Sequence, residues 1–173
     1  KRTKLPVLDR EGLRPTPDRV RQTLFDWLGQ RLDGWRVLDA FAGTGALGFE
    51  AASRGAASVV CVEREGALVK ALLEVKQRLE ADAVRIEAAD ALAWMARASR
   101  EAFDLVMLDP PFADRAHTAA ITRALPLVAP GGLMYVEAGE RVEPAAGFVE
   151  HRYLKAGQVH AHLWRKATTA PVV

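Results

Sequence analysis

The run Asp109-Pro110-Pro111-Phe112 has the chemistry to hold a flat molecule that carries an exocyclic amine. The Asp109 carboxylate is an acceptor, and the Pro110 carbonyl is a second one. Neither proline has an N–H, so the local backbone accepts more than it donates. Phe112 adds a ring face for stacking. The lone pair of a nucleobase amine is delocalised into the ring, which makes it a weak nucleophile. Two acceptors aimed at its hydrogens favour the pyramidal, electron-rich geometry of the transition state. The same four residues also suit a proline-rich turn that only ends a strand.

The element that positions them is legible. Residues 103–108, Phe-Asp-Leu-Val-Met-Leu, read as a buried strand, so the tetrapeptide lies at the carboxyl edge of a parallel sheet. Ligands of open α/β folds bind at that edge. A second strand, Arg36-Val37-Leu38-Asp39-Ala40, runs into Phe41-Ala42-Gly43-Thr44-Gly45-Ala46-Leu47-Gly48, and a helix-like stretch continues to about Arg54. Strand, glycine turn and helix make a nucleotide-binding βα unit. The next strand pattern, Ser58-Val59-Val60-Cys61-Val62, ends at Glu63. Glu63 lies about 20 residues beyond Gly43, the spacing at which an acid meets ribose hydroxyls.

Gly43, Gly45 and Gly48 also satisfy the dinucleotide pattern G-x-G-x-x-G. Two features favour S-adenosylmethionine over NAD. Asp39 would repel a pyrophosphate but suits an ammonium or sulfonium group. The Asp-Pro-Pro-Phe run has no task in hydride transfer. An NAD(P)-binding protein stays open as the alternative of another class, as does a non-catalytic RNA-binding protein with the same fold.

The glycine turn and the Asp-Pro-Pro-Phe run together resemble the Rossmann-like class I methyltransferases that modify exocyclic amines. The stretch from Leu13 to Phe25 (Leu-Arg-Pro-Thr-Pro-Asp-Arg-Val-Arg-Gln-Thr-Leu-Phe) is similar to the N-terminal signature of the bacterial RsmD family. So are residues 38–48 and Ala156-Gly157-Gln158-Val159, and the likeness covers nearly the whole chain. The resemblance implies methylation of guanine N2 in 16S ribosomal RNA, with free RNA or the small ribosomal subunit as partner. It implies a Rossmann-like fold with a mostly parallel seven-stranded sheet, one antiparallel strand and helices on both faces. Asp39, Phe41, Gly43 and Gly45 would line the methionine end of S-adenosylmethionine, and Glu63 would take its ribose hydroxyls. Arg64 would lie beside the adenine, with Asp90 and Ala91 flanking the ring. Asp109, Pro110, Pro111 and Phe112 would hold the target guanine. Arg14, Thr16, Arg19 and Arg21 are the candidate RNA contacts. Pro17 departs from the family pattern, and because the chain starts at Lys1, further residues are expected before it. Amine-gripping alone does not separate guanine N2 from adenine N6, so an adenine-N6 methyltransferase on DNA or RNA remains open.

Length and composition agree with one methyltransferase domain. The 173 residues suit a single domain over 16–167, with a basic arm at 1–15 and a tail at 168–173. Half the residues are hydrophobic, yet no apolar run approaches the roughly 20 residues of a membrane helix. No signal peptide is evident, which points to the cytoplasm, and a monomer is expected. Residues 1–21 hold seven Lys or Arg against three Asp or Glu, a net of +4, which leaves −2 for the remainder. A basic arm on a near-neutral body suits phosphate contact, as it also suits a solvated terminus. Cys61, the single cysteine, reads as a buried, inert thiol.

Periodicity supplies the remaining elements. Thr16 and Pro17 can start a helix with Val20, Leu24, Trp27, Leu28 and Leu32 on one face. Helices are expected over 65–80, 90–99 and 114–128, the last interrupted near Pro126. Pro130-Gly131-Gly132 reads as a turn before a strand at 133–137, and two last strands are expected over 148–154 and 159–165. No metal site is expected. His160 and His162 share one side of a strand without a nearby cluster of ligands, and His117 and His151 are expected on the surface.

Overall fold

The computed structural model describes residues 18–111 and 116–168. Chain order is α1 (Asp18–Leu28), β1 (Arg36–Asp39), α2 (Ala46–Ser53), β2 (Ser58–Glu63), α3 (Gly66–Leu79), β3 (Val84–Ala88) and α4 (Ala91–Arg97). Then follow β4 (Phe103–Leu108), α5 (His117–Ala124), β5 (Val128–Ala138), β6 (Phe148–Ala156) and β7 (Val159–Lys166). The seven strands form one sheet in the order β3-β2-β1-β4-β5-β7-β6. β1 to β5 pair in parallel, and β7 runs antiparallel to both β5 and β6.

Burial on both faces explains why β1, β2 and β4 are near-continuous apolar runs. Val37, Val59, Cys61, Leu105, Met107, Leu133, Tyr135 and Leu163 point to the face covered by α1, α2 and α3, with Leu24, Phe49 and Leu72 among the covering residues. Leu38, Val60, Val62, Val106, Leu108, Met134, Val136 and Trp164 point to the other face, covered by α4 and α5. α1 carries its buried residues, Val20, Leu24 and Phe25, at helical spacing. The C-terminal end of α1 is held at the far end of α2, where Arg54 donates to the Gly29 carbonyl at 3.3 Å.

Strand order creates the site. The chain leaves β1 toward β2 and β3 on one side, and β4 and β5 lie on the other. Between β1 and β4 the order reverses, and the carboxyl ends of those strands border the crevice that such a switch opens. Asp39 pairs in register with Met107, so Asp109 follows just beyond it.

Two elements differ from the sequence reading. Pro130-Gly131-Gly132 is no turn but part of β5, which starts at Val128; the register with β4 shifts between Phe103 and Leu105. A proline has no ladder donor, so the extra residues form a bulge inside the strand. The helix expected over 114–128 is described from His117 and stops at Ala124, and Leu125–Leu127 continues as a 3-10 turn around Pro126. His117 and His151 are partly exposed. The proposed arm, the Thr16 cap and the last five residues of the tail lie outside the described residues.

Candidate active site

The glycine turn is built from backbone and carboxylates together. Ala42 N–H donates to the Val62 carbonyl at 2.9 Å, and Gly45 N–H donates back to Ala42 at 2.8 Å. Gly45 then opens α2 at a left-handed φ of 80°, a conformation natural to glycine. The Glu63 carboxylate closes the turn from the neighbouring strand: one oxygen accepts Gly43 N–H at 2.9 Å, the other Glu65 N–H at 3.0 Å. Each oxygen keeps a lone pair for a further donor such as a hydroxyl.

Gly48 has a packing role. A Cβ there would lie 2.5 Å from the Cys61 sulfur and 3.1 Å from an Asp39 oxygen. Its absence lets α2 approach β1 and β2 closely enough for Gly48 N–H to donate to Asp39 at 3.0 Å. Gly48→Ala is expected to overpack this contact, costing roughly 1–3 kcal/mol, and to weaken cofactor binding by displacing Asp39. Thermal melting and cofactor titration of the same variant check both effects.

Asp39 is only 2 % exposed. Burial, then the nearby Asp109 and Glu63 carboxylates, push its pKa up to about 7, opposed by the Gly48 N–H. Among the described residues, no cation is among the groups that act on it. A helix N-terminus ordinarily attracts anions, but here Asp39 already takes the Gly48 N–H and two more acids stand close by. This corner repels a pyrophosphate and suits a positively charged ligand.

Asp90 precedes α4 and caps it, accepting Ala93 N–H at 2.9 Å through one oxygen. Its residue neighbour Ala91 is buried, whereas Asp90 itself is exposed. Ala89 N–H donates to the Glu63 carbonyl at 3.1 Å, so Asp90 and Glu63 stand on tied strand ends. Arg64 is on the surface directly after Glu63, and Phe41 is half-buried beside the α4 face.

On the other side of the crevice, Asp109 and Pro111 are half-buried and Pro110 is buried. Asp109 is close enough to Asp39 to raise its proton affinity, so the β4 corner and the glycine turn share one space. Phe112, Arg14 and Thr16 lie outside the described residues. Arg19 is exposed on the first turn of α1. Arg21 is paired with Asp18 at 3.0 Å, its side chain 32 % exposed.

Sequence reasoning missed Glu137 and Tyr135. Glu137, the penultimate residue of β5, is 2 % exposed and accepts the Tyr135 hydroxyl at 3.1 Å. Its carboxyl is also hydrogen-bonded to Asp109. The Nε2–H of His117, a residue expected on the surface, donates to the Glu137 carbonyl at 3.0 Å, tying α5 to the end of β5. The available signal was that strands β1, β2, β4 and β5 all run out into acids. Without the strand order, Glu137 could not be placed beside Asp109. The trio Asp39, Asp109 and Glu137 does not make a metal site: among the described residues no group of three or more His, Cys, Asp or Glu is placed to hold one.

A reversed parallel sheet with an antiparallel β7, a glycine turn closed by an acid, and an acid-proline corner facing it define a Rossmann-like class I methyltransferase. Residues 1–165 match the family model described as conserved hypothetical protein 95. The chain is 37 % identical over 173 residues to Ribosomal RNA small subunit methyltransferase D of Escherichia coli K12, covering 94 % of this chain and 84 % of that protein. Its identity to the Haemophilus influenzae protein of the same name is 39 % over 143 residues, covering 78 % and 72 % of the two chains. The solved structure of an Escherichia coli protein described as a methyltransferase superposes with a TM-score of 0.84 at 35 % identity, covering 96 % of this chain and 93 % of that one. A methyltransferase of Burkholderia thailandensis, solved with S-adenosylhomocysteine bound, shares the fold at a TM-score of 0.67 and 17 % identity, covering 87 % and 77 % of the two chains. This chain belongs to the RsmD family of small-subunit ribosomal RNA methyltransferases.

Proposed function

We propose that this methyltransferase acts on the exocyclic N2 amine of a guanine in 16S ribosomal RNA, using S-adenosylmethionine. The chain is an rRNA methyltransferase of the small subunit by family. The observation that supports the finer reading is the shared corner: Asp109 and Pro110 follow β4 beside a buried Asp39 that no cation among the described residues neutralises. The fit of the donor rests on the same residues. Asp39 and the Gly43–Gly45 turn suit its cationic methionine end, and the spare lone pairs of Glu63 suit ribose hydroxyls. The second Asp90 oxygen suits the adenine amine, with Arg64 and Ala91 alongside.

When bound, S-adenosylmethionine supplies an electrophilic methyl on a sulfonium. The protein supplies the rest. Asp109 and the Pro110 carbonyl take the two amine hydrogens and turn the nitrogen lone pair toward the methyl. Phe112 stacks on the base, which must be unstacked or flipped to reach this depth. Orientation of this kind can contribute roughly 7–11 kcal/mol. Arg19 and Arg21 on α1, with Arg14 and Thr16 before it, contact RNA phosphates. Asp109 holds the amine proton until it passes to water. Among the described residues no helix is long and apolar enough to cross a membrane. A single copy in the cytoplasm, where the small subunit is made, completes the reading.

The test is transfer of labelled methyl to small subunits from a strain lacking the enzyme, followed by digestion to nucleosides. N2-methylguanosine is expected as the labelled product. N6-methyladenosine would support the adenine alternative, and absence of transfer would refute the assignment.

A further inference from the structure

Behind Asp109 lies a directed chain of hydrogen bonds with no role in the proposal above. Tyr135 and Glu137 are two residues apart on β5, so their side chains share a face. Leu108 pairs with Val136, which brings the next residues, Asp109 and Glu137, level at the sheet edge. Tyr135 O–H donates to Glu137 Oε2 at 3.1 Å, and the Glu137 carboxyl bonds to that of Asp109. Two carboxylates have only acceptors, so a hydrogen bond between them requires one proton held in common.

The location of that proton follows from burial. Glu137 is 2 % exposed, whereas Asp109 is half-buried at the open edge. A negative charge is costlier at the deeper group. Among the described residues, the groups that set its proton affinity include no cation. Asp39 on β1 adds negative charge at the corner, β7 places Ala161 opposite Glu137, and His117 of α5 bonds to its backbone carbonyl. Burial, then Asp109, push the Glu137 pKa up to about 8.

We propose that Glu137 is a positioning residue that stays protonated, donates its proton in a hydrogen bond to Asp109, and thereby fixes an ionised Asp109 oxygen toward the guanine amine. This rests on the role of Asp109 given above. Tyr135 sets the Glu137 rotamer, Glu137 sets Asp109, and the charge is delivered to the open edge.

Glu137→Gln and Glu137→Leu test the idea. Gln keeps an N–H2 donor for Asp109 and an oxygen for Tyr135, while Leu keeps only bulk. Gln is expected to hold kcat at pH 7 within about 3-fold, and Leu to lose about 10-fold or more without a change in cofactor KM. Wild-type kcat should fall above about pH 8 as the shared proton leaves, and the Gln variant should lack that fall. A folded Leu variant with full kcat, or a Gln variant with the wild-type alkaline limb, overturns the proposal.

Two readouts need no RNA. Carbon NMR of labelled carboxyl groups should find Glu137 titrating well above its ordinary range. Its elevated proton affinity in the fold means that stability is lost as pH rises from about 4.5 to about 8, so Gln should melt higher than wild type at pH 8 and alike at pH 4.5. Normal titration of Glu137 sinks this proposal even if Asp109 proves essential. An elevated titration together with a fully active Asp109→Asn enzyme sinks the role of Asp109 instead.

Discussion

Asp109→Asn is expected to lower turnover by roughly 100-fold or more while cofactor affinity stays within about 3-fold. The substitution keeps shape and volume, so β4 and its neighbours should pack as before. What changes is the group facing the amine. Asn brings an N–H2, and a donor aimed at a donor repels where the carboxylate attracted. If the Asn oxygen turns to the base instead, its N–H2 faces Glu137, the donor of that pair in the proton placement proposed above. Either orientation leaves one contact wrong. Asp109→Ala removes the acceptor outright and should be at least as slow. Single-turnover methyl transfer with the enzyme saturated in cofactor separates this effect from binding. A variant with full turnover would mean that Pro110 and stacking suffice.

The second large effect is expected at Asp39. It is buried, faces two other acids, and titrates at about 7. A cation binds its ionised form, so below that pH binding must expel a proton. Cofactor affinity should therefore rise with pH up to about 7 and level off above it. Asp39→Asn should abolish this slope and weaken binding by roughly 10–100-fold at pH 8, because a charge pair 4 Å apart at a protein-like dielectric is worth up to about 4 kcal/mol. The Asn side chain can still accept the Gly48 N–H, so α2 should keep its place. Calorimetric titration of both proteins across pH 6 to 8.5 checks the claim. A slope unchanged in the variant would assign the titration to another group.

Much of this site was legible because its residues speak locally. Asp39, the glycines and Glu63 follow one strand–turn–helix–strand unit, whose spacing is set by chain geometry alone. Asp109 and Pro110 were legible because an apolar run must end somewhere, and prolines mark the end. What was hidden is pairwise and long-range. Glu137 matters only because β5 lies beside β4, a fact of strand order that periodicity does not carry. Glu63 was read for ribose alone, yet it also holds the glycine turn through the Gly43 N–H and its own following loop through the Glu65 N–H. Asp90 was read beside the adenine and is in addition a helix cap. The Pro130-Gly131-Gly132 bulge was misread because local turn chemistry looks the same whether a strand has begun or not.

Most direct of all is a crystal structure with S-adenosylhomocysteine and a short RNA carrying the target guanine. The expected complex has guanine N2 about 3 Å from an Asp109 oxygen and the Pro110 carbonyl, its lone pair aimed at the sulfur in the glycine turn. A guanine seated elsewhere, with Asp109 turned inward onto Glu137 and no path from N2 to that sulfur, would contradict it.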